Sequence, residues 1–253
     1  MTTLMDRLIS EQAFHDEQAR QRAQDLADPA ALRFTDDAYL DHETWIRPAL
    51  AQLGDMAGKR VLDFGCGHGM ASVVLARRGG VVTGFDLSGS YLCEARQRAQ
   101  ANGVRIDFAR ADGERLPFAT GSFDRIWGNA VLHHLDLART GAELARVLRP
   151  GGVAVFCEPW GGNPLLRWAR ISLPYPGKHR TPDEQPLVVA DVQRLRAAFP
   201  DLQVQGFQLF SMVRRVLKPG WVTAALEHVD HGLLRSLPAL QHFCRYMVLT
   251  LRR

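Results

Sequence analysis

A chain of 253 residues, 46% hydrophobic and 23% charged, is long enough for one large domain and has the balance of an ordinary globular protein. No apolar run approaches the roughly 18 residues that a membrane span needs, and the opening MTTLMDRLISEQ carries acids where a secretory leader needs an apolar stretch, so a cytoplasmic protein without a membrane partner is expected. The formal charge of +4 does not argue for nucleic acid, because lysine occurs only at Lys59, Lys178 and Lys218 and the arginines are interleaved with Asp and Glu.

Residues 1–57 read as helices rich in Ala, Gln, Arg and acids: one from Asp6 to Leu26, and a second from Asp36 to Leu53 after the Asp28-Pro29 break. They are expected to form a lid on a domain spanning 58–253. From Lys59 the pattern changes to short β-branched runs alternating with amphipathic stretches. Strands are expected at Arg60–Phe64, Val81–Phe85, Val104–Phe108, Phe123–Trp127, Gly152–Cys157, Leu202–Phe210 and Arg245–Leu251. Helices are expected at Met70–Arg78, Gly89–Ala101, Leu137–Leu148, Ala190–Phe199 and across much of 221–240. That alternation predicts an α/β fold, a Rossmann-like, seven-stranded, mostly parallel sheet with helices on both faces.

Residues 159–186 break the rhythm with Pro159, Pro164, Pro174, Pro176, Pro182 and Pro186. A long irregular connection with this aromatic content reads as an ordered active-site cover. Its Trp160, Trp168 and Tyr175 are candidates to wall an apolar acceptor pocket, and Arg180 either holds an acidic substrate or pairs with Asp183 or Glu184, the second being favoured by their nearness in sequence. Cys66, Cys93, Cys157 and Cys244 lie far apart with no C-x-x-C pair, which suits reduced thiols. His228 and His231 share a helix face with no third ligand in view, so no metal is expected.

The chemistry concentrates at strand ends. Val61–Gly69 (VLDFGCGHG) runs a strand into glycines and then a helix; glycine permits the tight turn and the close approach of backbone to a ligand. The spacing is G-x-G-x-G, with Met70 where a dinucleotide fingerprint needs its third glycine. S-adenosylmethionine, which has no phosphate but has an amino acid end and a ribose, suits these features better. Asp63, inside the strand, either orients the loop or meets an ammonium through water. Asp86 closes the next strand about twenty residues after Gly65, where a carboxylate reaches ribose hydroxyls. Asp112 in ARADG is a candidate acceptor for the adenine amine, and Asn129 in WGNA stands beside the methionine end. Each also has a plain structural reading: Asp86 as a helix cap, Asp112 as a turn former.

Together with FDRI (123–126), VLHHL (131–135) and LRPGG (148–152), these motifs resemble the class I S-adenosylmethionine-dependent methyltransferases, in particular the small-molecule branch similar to ubiquinone and menaquinone methylases. The resemblance covers roughly residues 58–158. It implies S-adenosyl-L-methionine as cofactor, lined by Gly65, Gly67, Asp86, Asp112 and Asn129, with Leu87, Gly113 and Ala130 beside them, and a small-molecule methyl acceptor. It also implies residues against the methionine end from the segment YLDHETWIR, where Tyr39 and Trp45 either shield the sulfonium or pack in the core. His134 is the candidate base for a hydroxyl or amine acceptor, whereas His133 is expected to pack against cofactor or sheet. Glu158 either touches substrate or pairs with an arginine of the cover. Two alternatives stay open: a cyclase consuming the same cofactor, like the azetidine-2-carboxylate synthases, and a non-catalytic cofactor-binding protein.

Overall fold

In the computed structural model residues 12–14, 16–18, 20–21, 29–172, 185–218 and 220–253 are described. Tyr175, Arg180, Asp183 and Glu184, with much of the expected Asp6–Leu26 helix, lie outside the described residues.

The seven expected strands form one sheet: β1 (Arg60–Phe64), β2 (Val81–Asp86), β3 (Asp107–Arg110), β4 (Phe123–Asn129), β5 (Leu148–Pro159), β6 (Gln203–Phe207) and β7 (Tyr246–Arg252). The spatial order is β3-β2-β1-β4-β5-β7-β6. β1 pairs in parallel with β2 and β4, and β4 with β5, whereas β7 runs antiparallel to both β5 and β6. The direction of winding reverses between β1 and β4, and such a switch point opens a crevice at the carboxyl ends of the two strands.

Period-two alternation puts apolar side chains on both faces, as a buried parallel sheet requires. Leu62, Phe64, Ile126, Ala154 and Phe156 face one core with Leu144 and Leu195 from the helices α5 (Leu137–Val147) and α7 (Val189–Arg196). Val61, Trp127, Val153, Val155 and Val248 face the other. There they meet α1 (Asp36–Leu40), α2 (Ile46–Ala51) and α3 (Met70–Arg77). The remaining helices are α4 (Gly89–Ala101), α6 (Pro164–Ser172) and α8 (Trp221–Ser236).

Four sequence expectations change. The single helix over Asp36–Leu53 is two short helices, because Pro48 has no N–H to donate and is accommodated only in the first turn of α2. The third strand lies at Asp107–Arg110, shifted from Val104–Phe108 by its register with β2, where Thr83 faces Asp107. β6 ends at Phe207, ahead of the expected Phe210, as Gln208 takes φ +61° and leaves the ladder. The start of the cover, expected to be irregular, is the helix α6; Asn163 Oδ1 accepts from the N–H groups of Leu165 and Leu166 and caps it.

Candidate functional site

A cavity of about 310 Å³ opens at the carboxyl ends of β1, β2 and β4, at the switch point. Its floor is the turn after β1. Gly65, Gly67 and Gly69 have φ of +67°, +48° and +82°, all in the left-handed region that only glycine enters without strain. A Cβ at Gly65 would stand 2.5 Å from Val131 Cγ2, so that glycine is required by close packing as well. At Gly67, its two chain neighbours apart, no atom of the described residues lies within 4 Å of the Cβ position, although the residue lines the cavity. Arg98, buried on α4, donates to the carbonyl of His68 at 2.9 Å and ties the turn to the helix behind it.

Asp86 joins the turn to the end of β2. Its Oδ2 accepts from Gly67 N at 2.8 Å and its Oδ1 from Ser88 N at 2.9 Å. One carboxylate therefore sets both the glycine turn and the entry to α4, where Ser88 Oγ accepts from Tyr91 N and caps the helix. Asp112 has a local role too, its Oδ1 accepting from Glu114 N at 2.9 Å in a turn. A Cβ on neighbouring Gly113 would meet Phe64 Cζ at 2.8 Å, so backbone and aromatic ring close that side.

Asp63 points into the helical face of the sheet and accepts from Ser72 Oγ at 2.5 Å. Burial pushes its carboxyl up to about 7; the Ser72 bond opposes this and nearby Asp86 adds to it. Because the ordinary value is 3.8, the ligand-free fold gains from protonation, and its stability falls as pH rises from that value to about 7. Above Asp63, Trp127 Nε1 donates to Tyr39 Oη at 3.1 Å, fixing the Tyr39 ring at the cavity wall.

The turn after β4 forms the opposite wall. Asn129 Oδ1 is buried with no hydrogen-bond partner among the described residues, an acceptor that a ligand donor would satisfy. Ala130 carries φ +55°, unusual for a residue with a side chain, and is held there by its N–H to Cys157 O at 2.7 Å. Glu158, fully buried, holds the next three residues: Oε1 accepts from Val131 N and Leu132 N at 2.9 and 2.8 Å, and Oε2 meets His133 Nδ1 at 2.7 Å. His134, which lines the cavity, has its ring 4.1 Å from that of His133. Glu158→Gln removes the charge from three bonds and is expected to lower stability by about 1–2 kcal/mol. Urea unfolding checks this, and an unchanged midpoint would show that the charge is not what holds the turn.

Residues from the N-terminal segment reach the rim. Gln18 lines the cavity and accepts from Tyr91 Oη at 3.1 Å. Asp16 accepts from Ser88 Oγ and, at 3.3 Å, from Ser90 N.

The comparisons with known proteins agree with this geometry. Residues 62–156 match the methyltransferase-domain family. The chain is 45% identical over 100 residues to the methyltransferase GfsG of Streptomyces halstedii, a match covering 38% of this chain and 36% of that protein. Within residues 62–156 the chain is similar to class I S-adenosylmethionine-dependent methyltransferases. Over 103 residues it is 41% identical to a ubiquinone biosynthesis O-methyltransferase of Aromatoleum aromaticum, covering 40% of this chain and 44% of that one. It thus matches less than half the length of either curated relative. The fold is that of an S-adenosylmethionine-dependent methyltransferase from Mesorhizobium loti, with a TM-score of 0.55 at 20% identity over 85% of this chain and 100% of that one.

The structure brings Tyr39, Asp63, Gly65, Gly67, Asp86, Leu87, Asp112, Gly113, Asn129, Ala130 and His134 around one cavity. Three aromatic and acidic expectations are corrected. Trp45 does not line the cavity: it stacks on Tyr246 at 3.7 Å beneath Arg245, in the core where α2, which it precedes, packs on β5. Trp160 does not line this cavity; it is buried in the sheet core and donates to His242 O at 3.1 Å. Glu158, fully buried, meets no arginine among the described residues; it bonds to the turn after β4. Sequence reading missed Gln18, His68 and Tyr91 at the rim. Gln18 and Tyr91 sit in helical stretches without a motif, and only the fold brings them together.

Proposed function

We propose that this chain transfers a methyl group from S-adenosyl-L-methionine to a small-molecule acceptor. The observation that carries the reading is the glycine turn held by Asp86 at the switch-point cavity, facing a buried acceptor atom, Asn129 Oδ1, that has no partner among the described residues. These residues fit the cofactor: Asp86 toward the ribose, Asn129 and Asp63 toward the amino acid end, Asp112 toward the adenine, with Gly67 leaving room for the ligand. When bound, the cofactor supplies an electrophilic methyl on a sulfonium. The chain's own task is to hold donor and acceptor in line and to exclude water, a matter of proximity more than acid–base chemistry. Tyr39 closes the wall, and Asp16 and Gln18 tie an N-terminal lid to α4. His134 is placed to take a proton from a hydroxyl or amine acceptor.

Asp63 gives the reading a proton signature. An arriving ammonium favours the carboxylate, so binding lowers a value that stands near 7 in the free protein. Affinity is then expected to rise from about pH 6 to about pH 8 and level off, with proton release at the lower pH. Calorimetry of S-adenosylhomocysteine in buffers of different ionisation enthalpy measures that release. Proton release that persists in Asp63→Asn would show another group to be responsible.

Incubation with S-adenosyl-L-methionine and a panel of small hydroxyl, amine and activated-carbon acceptors, read by mass spectrometry, tests the activity. S-adenosylhomocysteine with an acceptor heavier by one methylene supports methyl transfer; methylthioadenosine would mean attack elsewhere on the sulfonium, as in a cyclase. Once an acceptor is known, His134→Gln is expected to lower turnover without changing S-adenosylhomocysteine affinity. Native turnover in that variant would remove His134 from the proton path.

A further inference from the structure

The large apolar side chains exposed at the surface are not scattered. Among the described residues all of them except Val81 lie within residues 165–243. Val216 is 84% exposed, Trp221 83%, Leu165 75% and Trp168 59%, with Phe210, Leu217, Leu237 and Phe243 also exposed. A single exposed leucine is ordinary, but tryptophans this exposed, with aliphatic residues on neighbouring segments, mark a contact surface.

The topology brings these segments to one edge. β5 ends at Pro159 and leads to α6; β6 ends at Phe207 and leads to the turn Ser211–Arg215; β7, antiparallel to both, begins at Tyr246 after the turn Pro238–Phe243. Hydrogen bonds join the pieces. Asn163, which caps α6, donates to Phe243 O at 2.7 Å, and Asp230 of α8 accepts from the N–H groups of Leu209, Phe210 and Ser211. This is the carboxyl edge of the sheet, the same edge on which the methyltransferase cavity opens.

The charge on these segments has one sign. Residues 160–172 carry Arg167 and Arg170 with no acid, and residues 208–222 carry Arg214, Arg215 and Lys218 with no acid. Arg214 reaches Glu227 at 3.3 Å, while Arg215 and Lys218 are exposed. Interleaved Trp, Leu and Val with Arg and Lys is the composition of an element that lies in a membrane interface, apolar residues inserted and cations on the lipid phosphates.

We propose that α6 and residues 210–218 and 220–222 dock this protein on an anionic phospholipid surface. The cavity then opens beside the bilayer, where an amphiphilic acceptor would be presented. No helix among the described residues is long and apolar enough to cross a membrane, and a surface-bound protein needs none; the sequence expectation of no membrane partner rested on spanning segments alone. The inference does not depend on methyl transfer, since docking is read without turnover.

Of the five tryptophans, Trp45, Trp127 and Trp160 are buried and Trp168 and Trp221 exposed, so the unmodified full chain reports its own docking. Vesicles of phosphatidylcholine mixed with phosphatidylglycerol are expected to shift its tryptophan emission to the blue and to carry it in flotation, and raised salt is expected to release it. Arg214→Glu with Arg215→Glu is expected to weaken vesicle binding by more than about tenfold, since each surface cation is worth roughly fivefold. Trp168→Ser with Trp221→Ser is expected to abolish the blue shift while the protein keeps its melting temperature. No flotation with anionic vesicles at low salt would overturn the proposal. So would binding to phosphatidylcholine alone with equal strength, or a dimer in solution that the double tryptophan variant converts to monomer.

Discussion

Asp86→Ala is expected to weaken S-adenosylhomocysteine binding more than a hundredfold. The carboxylate does two things at once: it holds Gly67 N and Ser88 N at 2.8 and 2.9 Å, and it lines the cavity where ribose hydroxyls are proposed to lie. A hydrogen bond to a charged group is worth about 1.5–3 kcal/mol, and losing two such contributions comes to about 3 kcal/mol or more, at about 1.4 kcal/mol per decade of affinity. Asp86→Asn keeps an oxygen for Gly67 and is expected to fall between the two. Titration calorimetry on variants with native circular dichroism gives the comparison. A folded Asp86→Ala protein with native affinity would show that the carboxylate shapes the turn without touching the ligand.

The second large effect separates two glycines that the motif treats alike. Gly67→Val is expected to leave a folded protein that no longer binds S-adenosylhomocysteine. Its chain neighbours apart, no atom of the described residues lies within 4 Å of its Cβ position, so the clash is with the ligand; the left-handed φ of +48° adds strain of about 1–3 kcal/mol. Gly65→Ala is expected to damage the protein itself, because the new Cβ would meet Val131 Cγ2 at 2.5 Å and press on the turn held by Glu158. Thermal melts and ligand titration of both variants distinguish the cases. Equal melting temperatures for Gly65→Ala and the native protein, or native ligand affinity in Gly67→Val, would place the turn wrongly.

The elements that sequence reading located well are those whose signal is local. A short apolar run that carries an acid at or next to its end announces a strand end, and β1 (RVLDF) and β2 (VVTGFD) are of this kind. β3 was displaced because its position is set by pairing with β2 and not by its own pattern. Trp45 illustrates the limit for the site: an aromatic residue just before the first strand fits the cofactor wall or the core equally, and only the direction in which α2 packs decides for Tyr246. Glu158 bonds to three residues more than twenty positions away, a distance over which spacing carries no information. Its partners have no sequence signature beyond two adjacent histidines.

The cavity at the switch point is proposed to hold one adenosyl ligand. Titration of the native protein with S-adenosylhomocysteine, with S-adenosyl-L-methionine as competitor, measures this most directly. One-to-one binding, displaced by S-adenosyl-L-methionine and lost in Gly67→Val, is the expected result. A native, folded protein that binds neither compound would contradict the assignment of the cavity and the activity proposed from it.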